Sequence, residues 1–538
     1  MHIIAQLLSS VSTTIALYGL YRLVKSRFFS PIRNLPGPQS SSWIWGNIKE
    51  IRDNEDAVLY QKWIKEYGRT FRYKSYFGGN RLLTLDNKAL NHILMHNYIY
   101  QRSEPARYNL SLIVGTGVLV TEGDKHKLQR KVMNPAFGPA QIRDITSIFV
   151  DKSIELKDVW MSQITAEGGT ARINVLEWLS KMTLDVIGRA GFHYEFNALT
   201  KHSAQSNELS NAFSAAMGNP DMDRIKNKPW NVLQSLFPVL RVFPGVRIPR
   251  FDKAKETMNR IGQNLLRESK ASLQASGEKA GDLKSRDLLT LLLRSNMSGE
   301  PSQRMSDEDV LAQVPTFLAA GHETTATGTT WALYALVGRL DVQQKLRDEL
   351  YTLQTENPTM EELNSLSYLD AVVRETLRLH APVPSVMRVA AEDDVIPLSQ
   401  PVIDRNGVTH NTLSVQKGQA ISISILAINR DKAVWGEDAL EFKPERWQNI
   451  PEAATSIPGV WGNMMTFLGG AKACIGYRFS LIEMKALLFV LIRGFEFELA
   501  VPREEIIKKS AIVQRPRVKS EPEKGSQLPL LVRAYQRD

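Results

Sequence analysis

A mainly α fold with a small β region, held in a single domain, is what the 538-residue sequence predicts. Apolar residues recur at helical spacing along most of the chain, whereas strand-type alternation is confined to a few short stretches. No Ser/Gly tract, internal repeat or low-complexity block divides it, and the polar loops near 268–286 and 299–304 are short. With 43% hydrophobic and 23% charged residues the chain can bury one large core.

Taken in order, the elements begin with an uncharged run from Ile3 to Tyr21. It is long enough to cross a bilayer, although Gln6, Ser9, Ser10, Ser12, Thr13 and Thr14 weaken it. Arg22, Lys25, Arg27 and Arg33 follow, and only His2 precedes it, so residues 1–21 are expected to form a signal anchor with the remainder on the cytosolic side. A missing N-terminal cation argues against a cleaved secretory peptide. Residues 22–38 form a basic stretch and a hinge, Leu35-Pro36-Gly37-Pro38, stiff enough to stand the 39–538 domain off the membrane. The sequons at Asn109 and Asn296 would then face the cytosol unmodified. One cysteine excludes an internal disulfide and fits a reducing compartment.

Further on, Phe71 to Phe77 and Arg81 to Leu85 flank Gly78-Gly79-Asn80 as a hairpin. Val310 to Leu340 reads as one helix, with Ser306 and Asp309 as a capping box and Pro315 as a kink. Ile421, Ile423 and Ile425 alternate as a strand after the Lys417-Gly418 turn. Tyr477 to Leu491 carries Phe479, Ile482, Leu487 and Val490 on one helical face.

Chemistry concentrates just before that last helix, in Phe467-Leu468-Gly469-Gly470-Ala471-Lys472-Ala473-Cys474-Ile475-Gly476. Glycines at 469, 470 and 476 let the backbone turn tightly and approach a flat cofactor, with N–H groups free to point at sulfur. The positive end of the following helix should lower the Cys474 thiol pKa, and a thiolate is the form that ligates iron. A lone cysteine is otherwise a small buried hydrophobe; here its flanks argue for a ligand.

This loop resembles the haem-binding signature of the cytochrome P-450 family, Phe-x-x-Gly-x-Arg-x-Cys-x-Gly. Phe467, Gly470, Cys474 and Gly476 match, and Lys472 stands where Arg is usual. Ala320-Gly321-His322-Glu323-Thr324-Thr325 matches the family's Ala-Gly-x-Glu-Thr, which makes Glu323 and Thr324 the candidate proton relay. Glu375, Arg378 and Arg446 match, in order and spacing, a buried Glu-Arg-Arg network that fixes the segment leading to the cysteine. Haem propionates are expected to meet Arg130, His126 (where the family usually has Trp), Arg388 and Lys472, which lacks the guanidinium fork.

The resemblance implies the single-domain P-450 fold with haem b on Cys474, and electrons from NADPH through a cytochrome P-450 reductase, with a cytochrome b-type protein as a further donor. It implies an endoplasmic reticulum anchor and a lipophilic substrate over the haem, bounded by Ser103 to Val118, Ala204 to Arg250, Thr316 to Ala320, Val383 to Met387 and Ser510 to Ile512. Segments such as Thr183 to Phe192 look fungal, which points to secondary metabolism of terpenoids or polyketides, or to detoxification of aromatics. The net charge of +10 is dispersed without a nucleic-acid motif, so nucleic acid is excluded as a partner. Lys125, Lys127, Arg130 and Lys131 instead offer, with Lys472, a basic face for an acidic reductase, and other charge is available for membrane lipid. The alternatives are a thiolate isomerase or dehydratase working without a reductase, disfavoured by the acid-threonine pair, and a non-enzymatic haem sensor.

Overall fold

A computed structural model describes Thr13 and residues 28–200, 234, 238–242, 249–275, 287–298, 300, 304–510 and 512–537. The expected anchor, apart from Thr13, and nearly all of the 204–250 substrate segment lie outside them. Among the described residues no helix is long and apolar enough to cross a membrane. The chain is mainly helical with small sheets, as expected, and divides into two compact units interleaved along the sequence.

The first unit gathers residues 1–103, 384–439 and 451–473. Its five-stranded sheet has the order β1-β2-β8-β5-β3, built from β1 (Thr70–Lys74), β2 (Asn80–Thr84), β3 (Tyr100–Gln101), β5 (Ser385–Ala390) and β8 (Ala420–Ser424). The expected hairpin is β1-β2, but the ladder runs from Thr70 opposite Thr84 to Lys74 opposite Asn80. Asn80 is therefore a strand residue, and the turn is a short 3-10 segment, Tyr76–Gly78. Ile421 and Ile423 are buried in β8 as their alternation requires; Ile425 instead opens a short helix capped by Ser424. Helix α1 (Asn87–Met95), capped by Asp86, packs against the ribbon of β6 (Asp394–Ile403) and β7 (Thr409–Val415).

The Pro-rich segment does not behave as a free spacer. Ile32 and Leu35 are buried, the Pro36 carbonyl accepts from Arg72 N–H at 2.9 Å, and the Gly37 carbonyl accepts from Arg405 Nη2 at 2.5 Å. The expected stand-off hinge is thus fastened to the first unit, because its carbonyls find donors there.

The second unit comprises residues 104–383, 440–450 and 474–538. It contains α2 (Gly123–Met133), α3 (Pro139–Ala166), α4 (Val175–Phe192), α5 (Gln313–Val337), α6 (Ser367–Leu379) and α7 (Tyr477–Gly494). Strand β12 (Pro529–Ala534) lies between β4 (Thr170–Asn174) and β9 (Phe495–Leu499), and β10 (Ile506–Ser510) pairs with β11 (Gln514–Val518). Helix α5 is buried along most of its length and packs on α4, while α7 packs on α3.

The single helix expected from Val310 onward is two. Asp307–Leu311, capped by Ser306 Oγ on the Asp309 N–H, ends at Ala312, and α5 begins at Gln313. Pro315 therefore sits in the first turn of α5, where its missing N–H has no intrahelical partner to lose. The α5 start is locked by Val118 N–H donating to Gln313 Oε1 at 3.0 Å and Thr316 Oγ1 donating to the Val114 carbonyl at 3.1 Å. Thr324, Thr325, Thr329 and Thr330 all donate to carbonyls four residues back, which is how a threonine-rich helix remains buried. Asn296 is buried with its amide bonded on both sides to Met305, so this sequon asparagine is closed to modification by the fold itself.

Candidate haem-thiolate site

The loop before Cys474 is held open by close backbone contacts. Gly470 has φ +66°, and a Cβ there would lie 2.3 Å from the Leu94 carbonyl oxygen; at Gly469 it would lie 1.8 Å from that of Pro458. Any side chain at these two positions would force backbone apart. Asn429 brackets the approach, accepting from Met465 N–H and donating to Thr466 Oγ1, both at 2.8 Å, and Phe467 meets Trp461 edge-on. Gly476, the N-cap of α7, differs: a Cβ there would only touch Phe137 at 3.7 Å, so the surrounding protein gives no reason for glycine at this position.

Protein hems in Cys474 on most sides while its own surface stays open, and it carries no disulfide. Burial pushes the thiol up from its ordinary value; a hydrogen bond from Gly476 N–H and the Arg130 guanidinium draw it down. The net lowering expected from the helix end is therefore outweighed by burial. Burial also draws the Arg130 guanidinium down, and Cys474 opposes it. Among the described residues no group of three or more His, Cys, Asp or Glu side chains could hold a metal ion. An open, lone thiol with one backbone N–H bonded to sulfur and a guanidinium charge acting on it, and a glycine the protein itself does not require, fit a flat macrocycle lying against the loop.

His126 is buried, one turn before Arg130 on α2. Arg388 is buried on β5, opposite Ile421, and Lys472 is half-buried in the 3-10 turn Gly470–Lys472. These two belong to the first unit with Phe467 and Gly470, whereas His126 and Arg130 share the second unit with Cys474. Of the expected basic face, Lys127 and Lys131 are exposed, and Lys125 is tied to Asp309 at 2.7 Å.

On α5, Gly321 lets the helix lie close to Ile187 of α4, and Thr183 of α4 donates to the His322 carbonyl at 2.9 Å. His322 is buried and neutral: burial pushes it down to about 4, and its Nδ1–H donates to the Leu318 carbonyl at 2.8 Å. Glu323 is ion-paired with Arg515 of β11, and Thr324 Oγ1 donates to the Ala320 carbonyl at 2.7 Å. The acid and the alcohol are thus adjacent in the chain but engaged separately.

The Glu375 network is complete and lies wholly within the second unit. Glu375 and Arg378, neither accessible, form a two-pronged pair with both bonds at 2.8 Å, and Arg446 Nε reaches Glu375 Oε1 at 3.4 Å. Two donors went unforeseen: Trp447 Nε1 at 3.1 Å and the Lys443 N–H at 3.0 Å. Trp447 adjoins Arg446, so its identity was the available signal. No local pattern points to Arg515, nearly two hundred residues from Glu323. Also unforeseen is Glu483 of α7, inaccessible to solvent, with neither carboxyl oxygen in a hydrogen bond of normal geometry; burial holds it well above the usual carboxylate range, opposed only by nearby Thr325.

A sequence model described as cytochrome P-450 matches residues 36–520. Cytochrome P-450 monooxygenase 205 of Postia placenta is 56% identical over 94% of this chain and 93% of its own length. Monooxygenase 128 of the same fungus is 51% identical over 97% and 96%. Cytochrome P-450 monooxygenase claQ of Ampulloclitocybe clavipes is 36% identical over 93% and 92%.

Proposed function

The chain belongs to the cytochrome P-450 family of monooxygenases, and on that premise we propose that it is an endoplasmic reticulum enzyme, anchored by residues 1–21, which takes electrons from NADPH through a reductase and oxygenates a lipophilic small molecule. The observation that carries this reading is Cys474: the sole thiol of the chain, open at its surface, with a hydrogen bond from Gly476 N–H and the Arg130 charge acting on it. When bound, haem supplies the activation of dioxygen: one atom enters substrate and the other leaves as water, with two electrons from NADPH and two protons, one from NADPH and one from solvent. Cys474 would hold the iron, with Gly476 N–H stabilising charge on sulfur. Arg130, His126, Arg388 and Lys472 would be the donors for the propionates.

Protons are the contribution of α5. The Thr324 hydroxyl, which donates to the Ala320 carbonyl, would supply protons at the haem site, with Glu323 replenishing them. Arg515 holds Glu323 in place. Neutral, buried His322 keeps a competing charge out of this stretch of helix. Substrate selection falls to apolar residues of the expected lining segments, such as Val118, Phe317 and Ala319, which favour an apolar ligand. Terpenoids, polyketides and aromatic compounds are the classes we propose.

The test is turnover of the full chain with NADPH and a reductase on a panel of terpenoids and aromatics under oxygen-18. A product heavier by one labelled oxygen supports the reading. Rearranged or dehydrated product without label, or haem binding with no turnover across the panel, contradicts it.

A further inference from the structure

We propose that His92 and His96, at the C-terminal end of α1 in the first unit, form a binding site for one divalent late first-row transition-metal ion such as zinc or copper(II). The site takes no part in the oxygenation proposed above. Its protein ligands are the two imidazoles, and Asp394 is the group that orients one of them.

Residues one helical turn apart share a face, and the centroids of these two rings are 4.2 Å apart. An ion about 2.0–2.1 Å from one nitrogen of each ring holds neighbouring imidazoles at close to this separation. Each ring has one nitrogen engaged. His92 Nε2 lies 2.8 Å from Asp394 Oδ2, and His96 Nδ1 lies 2.8 Å from the His92 carbonyl oxygen. An ionised carboxylate and a carbonyl only accept, so these two nitrogens carry the protons. In the neutral rings the lone pairs therefore fall on His92 Nδ1 and His96 Nε2, the form a metal needs. Asp394 is itself held from behind, since its Oδ2 accepts from the hydroxyl of buried Tyr100 at 2.7 Å. A carboxylate on the second N–H of a histidine fixes the ring and raises the basicity of the ligating nitrogen.

The surroundings favour a cation. His96 is the C-cap of α1, where the negative end of the helix dipole lies. It is exposed, as is Met95 beside it, so an ion can enter and water can complete its coordination. Two imidazoles and water select zinc, copper(II) or nickel over magnesium and calcium, which prefer oxygen ligands. A bridging ion would also clamp the last turn of α1. Leu94 lies between the two histidines in that turn, and a Cβ at Gly470 would strike its carbonyl, so the clamped turn is the one that backs the cysteine loop.

The test is calorimetric titration of full-chain holoprotein with zinc chloride, comparing wild type, His96→Ala and Asp394→Asn. His96 is exposed, so its replacement leaves the fold intact, checked by an unchanged circular dichroism spectrum. We expect wild type to bind one equivalent that His96→Ala loses, with affinity falling roughly ten- to a hundredfold in Asp394→Asn. Hydrogen exchange across residues 92–96 should slow on adding zinc to wild type and stay unchanged in His96→Ala. Zinc bound alike by wild type and His96→Ala, or by neither at millimolar concentration, overturns the site; unchanged affinity in a folded Asp394→Asn overturns the part given to the carboxylate.

Discussion

Arg515 of β11 is ion-paired with Glu323 of α5, so the acid expected to relay protons is restrained by a strand nearly two hundred residues away. The backbone just before Arg515 is fixed, since Gln514 donates its N–H to the Pro382 carbonyl and accepts from Trp331 Nε1 at its own carbonyl. Replacing Arg515 with Met removes a charged hydrogen bond worth about 1.5–3 kcal/mol and lets Glu323 drift from Thr324. Product formed per NADPH consumed should fall by roughly ten- to a hundredfold with little change in KM, and Arg515→Lys should recover part of it. Unchanged coupling in Arg515→Met would assign the pair to structure alone.

Glu375 accepts from Arg378, Arg446, Trp447 and the Lys443 backbone within one buried site. Glu375→Ala strands two buried guanidinium groups and should cost about 3–5 kcal/mol, whereas Trp447→Phe, losing one bond to a charge, should cost about 1.5–3 kcal/mol. Chemical denaturation of the two variants checks the order of these losses.

Glu483 gives the fold a pH dependence opposite to that of ordinary ion-paired carboxylates. Below the unfolded value of 4.5 both states hold the proton. Above it the unfolded carboxyl ionises while the buried one, raised by desolvation, does not, so each further pH unit favours unfolding by about 1.4 kcal/mol until Glu483 itself ionises. Glu483→Met removes that term. The variant should gain stability over wild type as pH rises from 5 to 8 in denaturation midpoints; a constant difference between the two would show that the acid is already ionised.

Gly470 and Gly476 lie in one loop but should fail differently. Gly470→Ala meets backbone at φ +66° and should destabilise the apoprotein by about 1–3 kcal/mol. Gly476→Ala meets only ordinary contact with Phe137, so apoprotein stability should change by no more than about 0.5 kcal/mol while haem retention falls. Calorimetry of the apoproteins, paired with haem titration, separates the two; equal retention in Gly476→Ala would contradict a macrocycle packed on that residue.

Much of this was legible in local sequence because local physics fixed it. The β1-β2 hairpin followed from alternation around Gly78-Gly79, the Ser306 cap from its spacing to Asp309, and the cysteine loop from its glycines. Glu375 with Arg378 and Arg446 could be placed because family spacing supplied what a Glu-x-x-Arg alone does not. Partners set by tertiary contact were not legible. Arg515 carries no local mark of its tie to Glu323, and a carboxyl on an apolar helix says nothing of the buried site beside Thr325 that Glu483 occupies. The break at Ala312 was missed because hydrophobic period alone does not reveal where Gln313 and Thr316 are pinned to the 114–118 loop. Proline stiffness suggested a spacer, whereas donors from Arg72 and Arg405 make it part of the first unit.

Sulfur of Cys474 is the proposed protein ligand to haem iron. The most direct test is the absorption spectrum of the reduced full-chain holoprotein under carbon monoxide, beside that of Cys474→His. We expect the red-shifted Soret band of a thiolate-ligated haem in wild type and a blue-shifted, nitrogen-ligated band in the variant; a nitrogen-type band in wild type, or the same spectrum from both proteins, would contradict it.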